Sequence, residues 1–312
     1  MKSGSQRTWP LFALLAACAV WAGHALAAAG AERSPGDAPP GLRIAISESI
    51  AGEVNGNDAR AAIKAWAEAI ARQTGIRIEP ELCTIAQLMQ RVRNRQVDAF
   101  AINILEYMRL APYAGPELVV DQSQLPDGEE YLVLVHQSSG IQSLADLRGR
   151  GLLLHENTRM CLDRMWLDTL LASAHLGTAE TALGRIESSL KLSRVVLPVF
   201  FRQADACLVS RRGFNTMCEL NPQLAKQLRV LAMSPKLLTT FTAFHRDSPV
   251  ETRRRFLAAV THLHESLAGR QALMLFGGTR LLQADISALR TSLDVVHAYE
   301  RIKGKAPLAA AE

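Results

Sequence analysis

Between Val195 and Pro235 the chain spells out a strand, a helix and a second strand in unbroken succession, VVLPVFFRQADACLVSRRGFNTMCELNPQLAKQLRVLAMSP. Ala204–Ser210 is a short apolar strand, about Phe214–Leu228 carries apolar residues at helical spacing, and Arg229–Met233 is apolar again. Arg202, Gln203 and Asp205 precede or open the first strand; Ser210, Arg211 and Arg212 close it. Units of this kind stack into open parallel sheets, and small ligands bind at the loops beyond the strand ends. The chain is therefore expected to be an α/β protein whose chemistry sits on loops.

The same grammar runs upstream. Leu42, Ile44 and Ile46 alternate with Arg43, Ala45 and Ser47 as in a strand, and a helix from Asn57 lines up Ala59, Ile63, Trp66 and Ile70 before Gly75 stops it. Ile76–Leu82 is a second strand. Thr84 and Gln87 form a capping box for a helix with Ile85, Leu88, Met89 and Val92 on one face. Val97–Ile102 is apolar except for Asp98, as a buried parallel strand should be. This βαβαβ order makes one doubly wound half.

Tyr131–His136 reads as a strand leaving that half, Gly151–Leu154 starts another unit, and a helix over about Thr158–Ala174 follows. Thr239–His245 reads as a returning strand, and Ser248-Pro249 marks the start of the helices that run to about Arg301. The expected fold is two doubly wound α/β lobes joined by a two-crossing hinge, with a ligand cleft between them. Lobe one takes 41–136 and 234–312, and lobe two takes 137–233.

The N-terminus is a separate matter. Residues 1–27 have the pattern of a secretory signal peptide: Lys2 and Arg7, the apolar run Leu11–Ala22, then Ala25-Leu26-Ala27 as a small-x-small cleavage site. Leu15-Ala16-Ala17-Cys18 also resembles a bacterial lipobox, but Ala19, Val20 and Trp21 continue the apolar run, which favours soluble export to the periplasm. Ala28–Pro40, rich in Ala, Gly and Pro, is expected to be a disordered lead-in. Loss of Lys2 and Arg7 takes the formal charge from +5 to +3. The remaining arginines are dispersed, so no nucleic-acid partner is expected.

Four cysteines remain after cleavage: Cys83, Cys161, Cys207 and Cys218. Export permits disulfides, and Cys161 with Cys207 could form one, yet a chain this long has no need of them. Their spacing matches no zinc motif, and no other cofactor is implied. His262-Leu263-His264-Glu265 lacks the histidine spacing of a metalloprotease helix, and there is no nucleophile elbow.

The SLADLRG turn (Ser143–Gly149), the QADACLV strand (Gln203–Val209) and the ELNPQL…VLAMSP passage (Glu219–Pro235) give the chain a likeness to a known family. Over about residues 42–300 it resembles the phosphate/phosphite/phosphonate-type periplasmic substrate-binding proteins of ABC transporters, which have the type 2 periplasmic-binding-protein fold. The resemblance implies a non-catalytic, monomeric protein. It would close two lobes around a small polar, anionic ligand and deliver that ligand to a membrane permease. By matching position, Ser47, Glu48 and Ser49 after the first strand should line the cleft, as should Asn103, Glu106 and Tyr107 after the third. Lobe two would add Asn157, Thr158 and Arg159, the strand opened by Asp205, and Arg211 beyond it.

The chain departs from the family pattern in two of these loops. Ser-Glu-Ser-Ile replaces the usual aromatic after the first strand, and Glu-Asn-Thr-Arg replaces a Ser/Thr-rich loop. Several of these residues also have an ordinary structural reading. Asn157 or Thr158 would cap a helix, Asp205 would bond backbone at a strand end, Arg211 would face solvent, and Tyr107 would pack in its own lobe. Two further readings stand beside transport: a ligand-sensing subunit of a membrane receptor, and a periplasmic enzyme using Cys161 or Cys207 as nucleophile.

Overall fold

The computed structural model describes residues 41–50, 56–124, 128–274 and 278–304. The expected signal peptide, the lead-in and Cys18 lie outside them. The first half of the chain runs β1 (Leu42–Ser47), α1 (Gly56–Thr74), β2 (Ile78–Cys83), α2 (Ile85–Arg93), β3 (Ala99–Asn103), α3 (Ile104–Leu110) and β4 (Ala114–Asp121). It continues with β5 (Tyr131–His136), β6 (Gly151–His155), α4 (Asp163–Ser173), α5 (Ala179–Ala182), β7 (Arg185–Ser189), α6 (Leu192–Phe200) and β8 (Ala206–Ser210). Then come α7 (Arg211–Leu220), α8 (Gln223–Gln227), β9 (Leu228–Met233), β10 (Thr240–His245), α9 (Val250–Thr261), α10 (Leu267–Met274), β11 (Leu281–Asp285) and α11 (Arg290–Ile302).

Two sheets result, in the strand orders β11-β4-β10-β3-β1-β2 and β7-β6-β8-β5-β9. In the first sheet β1, β2 and β3 run parallel; in the second, β6, β7 and β8 do. Alternation along β1 decides its two faces. Leu42, Ile44 and Ile46 pack with Ile63, Ala67 and Ile70 of α1, whereas Ala45 joins Leu88 and Val92 of α2 on the other side. That second cluster continues through Phe241, Tyr131 and Trp166 to Val295 and Val296, so a single apolar body runs through both lobes.

Three local expectations are corrected. Tyr131–His136 belongs to the second sheet, where β5 lies between β8 and β9. The chain therefore crosses between Asp121 and Tyr131, upstream of the expected boundary at His136. An all-apolar strand announces that both its faces are buried, but not which sheet buries them. Nor does the C-terminal segment stay with the first lobe: after β11 the chain passes over again, and α11 packs on α4. The hinge of two crossings thus gains a third passage. Finally, the expected helix Phe214–Leu228 is two helices, because Pro222 holds Asn221 extended, at φ −141° and ψ 91°.

The start of α4 matters most for the site. Thr158–Met160 form a 3-10 turn, and the α-helix begins only at Asp163. Asn157 Oδ1 accepts from Arg159 N at 2.9 Å, and the Tyr131 hydroxyl donates to Arg159 O at 2.8 Å. The carbonyl that would have bonded Asp163 in a continuous helix is thus taken by a side chain from β5.

Two predictions follow from this packing. Ser292, fully buried on α11, donates to Leu238 O and accepts from Leu238 N, both at 2.9 Å. Ser292→Ala leaves both backbone groups without that partner, so urea unfolding should show a loss of about 1–3 kcal/mol; an unchanged midpoint would mean that this contact does not anchor α11. Burial pushes the Asp163 carboxyl up from 3.8 to about 6. In this window the unfolded chain ionises first, so stability present at low pH is lost as pH rises through about 6. Asp163→Asn removes the titrating group. Between about pH 4 and about pH 8 the wild type should therefore lose more stability than the variant, and parallel pH profiles would contradict this.

Candidate functional site

The parallel strands of both sheets end at the same cleft. On the first lobe, Ser47 closes β1 and Asn103 closes β3. Ser47 Oγ lies 2.5 Å from Glu106 Oε1, 3.0 Å from Ser49 Oγ, and accepts from Ser49 N at 3.2 Å. A carboxylate oxygen only accepts, so the single Ser47 proton points to Glu106, and the Ser49 hydroxyl must donate to Ser47. Asn103 Nδ2 donates to Ser49 Oγ at 3.1 Å, which completes a one-way chain from Asn103 to the buried Glu106. Asn103 and Glu106 also cap α3 reciprocally, Asn103 Oδ1 accepting from Glu106 N and Glu106 Oε2 from Asn103 N.

The structure thus brings Ser47, Ser49, Asn103 and Glu106 together, with exposed Glu48 beside them. Tyr107 is not with them. It is buried, meets Phe241 edge-on at 5.5 Å, and burial lifts its hydroxyl to about 12. The residue packs inside its own lobe, because α3 turns its fourth position inward.

On the second lobe Asn157 caps the 3-10 turn, while its Nδ2 lies 3.1 Å from His155 Nδ1. The α-helix begins only at Asp163, so Thr158 and Arg159 lie on the turn ahead of it. The Arg159 guanidinium reaches back to the crossing, where Nη1 donates to Ser123 Oγ at 2.8 Å. Ser123 in turn bonds Asp121, whose other oxygen accepts from Thr279 N at 3.1 Å. Glu129 Oε2 is 4.0 Å from Arg159, too far for a hydrogen bond. Burial and the neighbouring Arg212 lower the proton affinity of Arg159, and burial raises the Glu129 carboxyl despite Arg159 and Arg212 nearby. The desolvated Arg159 guanidinium therefore sits by one poorly solvated acid, with the exposed Arg212 near both.

Two expected residues stand elsewhere. Asp205 accepts from Gly151 N at 2.9 Å and pairs with Arg150 at 3.4 Å. That contact lies where β6 and β8 begin, at the opposite end of the sheet from the cleft, so the strand-end reading of Asp205 is the correct one. Arg211 opens α7 with its guanidinium on Glu130 and against Met233, on the β5–β9 side. Ser210, rather than either arginine, caps α7 by accepting from Gly213 N at 3.1 Å.

Asp121, Ser123 and Glu129 were not foreseen. Asp121 two residues before Ser123 is the Asx-turn pattern and could have flagged the crossing; nothing marks Glu129. All four described cysteines are free. Burial lifts the Cys161 thiol to about 12 and that of Cys207 as well, so neither is a thiolate nucleophile. Cys161 packs against the apolar cluster that runs through both lobes.

Beside Arg159 a cavity of about 430 Å³ extends over the first sheet toward α1. Asp121, Thr158 and Arg159 supply its charged and polar end, while Ile44, Ile46, Ala101 and Val119 are part of its apolar floor.

The family model described as ABC transporter, phosphonate, periplasmic substrate-binding protein matches residues 53–289. A comparison with curated protein sequences finds no match. Solved structures share the fold. A Pseudomonas aeruginosa binding-protein component of an ABC phosphonate transporter is 16% identical, with a TM-score of 0.55 over 84% of this chain and 89% of that one. A Xanthomonas citri protein bound to ATP is 16% identical, with a TM-score of 0.59 over 84% and 98%. A Prochlorococcus marinus protein in complex with methylphosphonate is 12% identical, with a TM-score of 0.56 over 85% and 98%. The chain belongs to the phosphonate-type family of periplasmic substrate-binding proteins, which bind small anionic ligands for ABC transporters and do not transform them.

Proposed function

We propose that this chain captures a phosphorus- or carboxylate-bearing anion at the corner where Arg159 of the second lobe meets the first, and hands it to an ABC permease. The observation that carries the reading is the Arg159 guanidinium, held by Ser123 with its acidic neighbour 4.0 Å away. An anion that reached Arg159 would find charge-assisted donors on a partly desolvated group, where they are strongest, with the exposed Arg212 adding its charge nearby. Asp121 is occupied as an acceptor by Ser123 and Thr279, and its charge, like that of Glu129, bears on Arg159 and subtracts from what an incoming anion gains.

Thr158 stands beside Arg159 at this corner. Ser47, Ser49 and Asn103 form the facing wall, and their fixed donor direction would orient whatever part of the ligand reaches them. Glu48 lies at the rim. The exported form would begin after Ala27, act as a monomer and present its closed face to the permease.

A thermal-shift screen of phosphate, methylphosphonate and small carboxylates tests the reading. At about 100 times its dissociation constant a ligand stabilises by roughly 2.7 kcal/mol, so at least one of these should raise the midpoint. Calorimetry on Arg159→Ala should then show about 10- to 150-fold weaker binding, the worth of a charge-assisted hydrogen bond. Undiminished affinity would remove Arg159 from the site.

A further inference from the structure

The shape of the cavity says more about the ligand than its charge does. On the sheet side its floor follows one row of adjacent strands, Ile46–Ala101–Thr242–Val119, in which the register pairs each residue with the next. Ala101 and Thr242 are small for the centre of a sheet covered by helices. Above them α1 presents Ala59 and Ala62, small again. Space therefore opens between two layers that pack closely elsewhere. Trp66, Phe256, Leu273 and Leu281 supply larger apolar walls.

Protein interiors keep few voids larger than a water molecule, because an unfilled void forfeits the contacts of its lining. A cavity of about 430 Å³ falls in the size range that encloses most of a drug-sized ligand. Inorganic phosphate or methylphosphonate would leave nearly all of the apolar wall uncovered. Only one end of the space is charged, and of its two charged groups Asp121 is already hydrogen-bonded by Ser123 and Thr279. Arg159 is the group left to hold a ligand.

Resting on the anion-binding reading above, we infer that the ligand is amphiphilic, an anionic head on Arg159 joined to an alkyl or aryl body that fills the cavity between α1 and the first sheet. Selection would then come from the body as much as from the head. A head group alone would bind weakly, and each buried methylene would tighten binding until the space is full.

The test is calorimetry of the purified exported chain with methyl-, butyl- and octylphosphonate, and with octan-1-ol as a body without the head. Affinity should rise about fourfold for each added methylene over the first part of the series, and octan-1-ol should bind far more weakly than octylphosphonate. Ala62→Leu, placed on a half-buried helix position, should flatten the dependence on chain length. If methylphosphonate binds but butyl- and octylphosphonate bind no tighter to the wild type, the inference is overturned and the anion reading stands. If octan-1-ol matches octylphosphonate, the head is not recognised and the inference also fails. If no phosphate, phosphonate or small carboxylate binds, the anion reading itself falls and this one with it.

Discussion

The pairing of the two crossing segments is the constraint on which the rest of the molecule depends. Glu129 N donates to Leu237 O at 2.7 Å and Leu237 N to Glu129 O at 2.9 Å, a two-bond bridge between the outgoing and returning chain. Two residues on, Tyr131 N donates to Ser234 Oγ at 2.8 Å and Ser234 N to Tyr131 O at 2.9 Å. These bonds fix where β5 enters the second sheet and where β10 re-enters the first. The groups around Arg159 take their place from that bridge. The Glu129 side chain faces Arg159, the Tyr131 hydroxyl holds the Arg159 carbonyl, and the neighbouring Leu238 is clasped by Ser292 of α11.

The two lobes bring different chemistry to the proposed site. The first lobe offers a polar chain, Asn103–Ser49–Ser47–Glu106, whose hydrogen bonds already satisfy one another. Such a network is rigid, and it can orient a ligand but contributes no positive charge. The second lobe carries the positive charge of Arg159 on a turn rather than on a helix. Because that guanidinium also touches Ser123 on the crossing, a ligand bound there under the proposed reading would act on the segment that joins the two sheets.

The parallel halves were readable from the sequence because their signals are local. Leu42, Ile44 and Ile46 alternate over a few residues, and Thr84 with Gln87 caps within one turn, as the structure has it. What failed depended on distant partners. The helix expected from Thr158 begins instead at Asp163, because a hydroxyl 28 residues away in sequence occupies the carbonyl of Arg159. Asp205 could be placed at a strand end, but choosing the cleft end required knowing which way β8 lies beside β6. Tyr107 and α11 failed for a related reason: periodicity shows that a face is apolar without naming what covers it. The cavity had no sequence signal at all, since the smallness of Ala101 matters only opposite Ala59 and Ala62.

The central claim is that an anion held at Arg159 draws the two lobes together about the bridged crossings. Small-angle scattering from the exported chain, with and without octylphosphonate at a concentration shown by calorimetry to saturate it, measures this in one comparison. The account predicts a smaller radius of gyration with the ligand bound. Superimposable curves from the free and fully bound protein would contradict it.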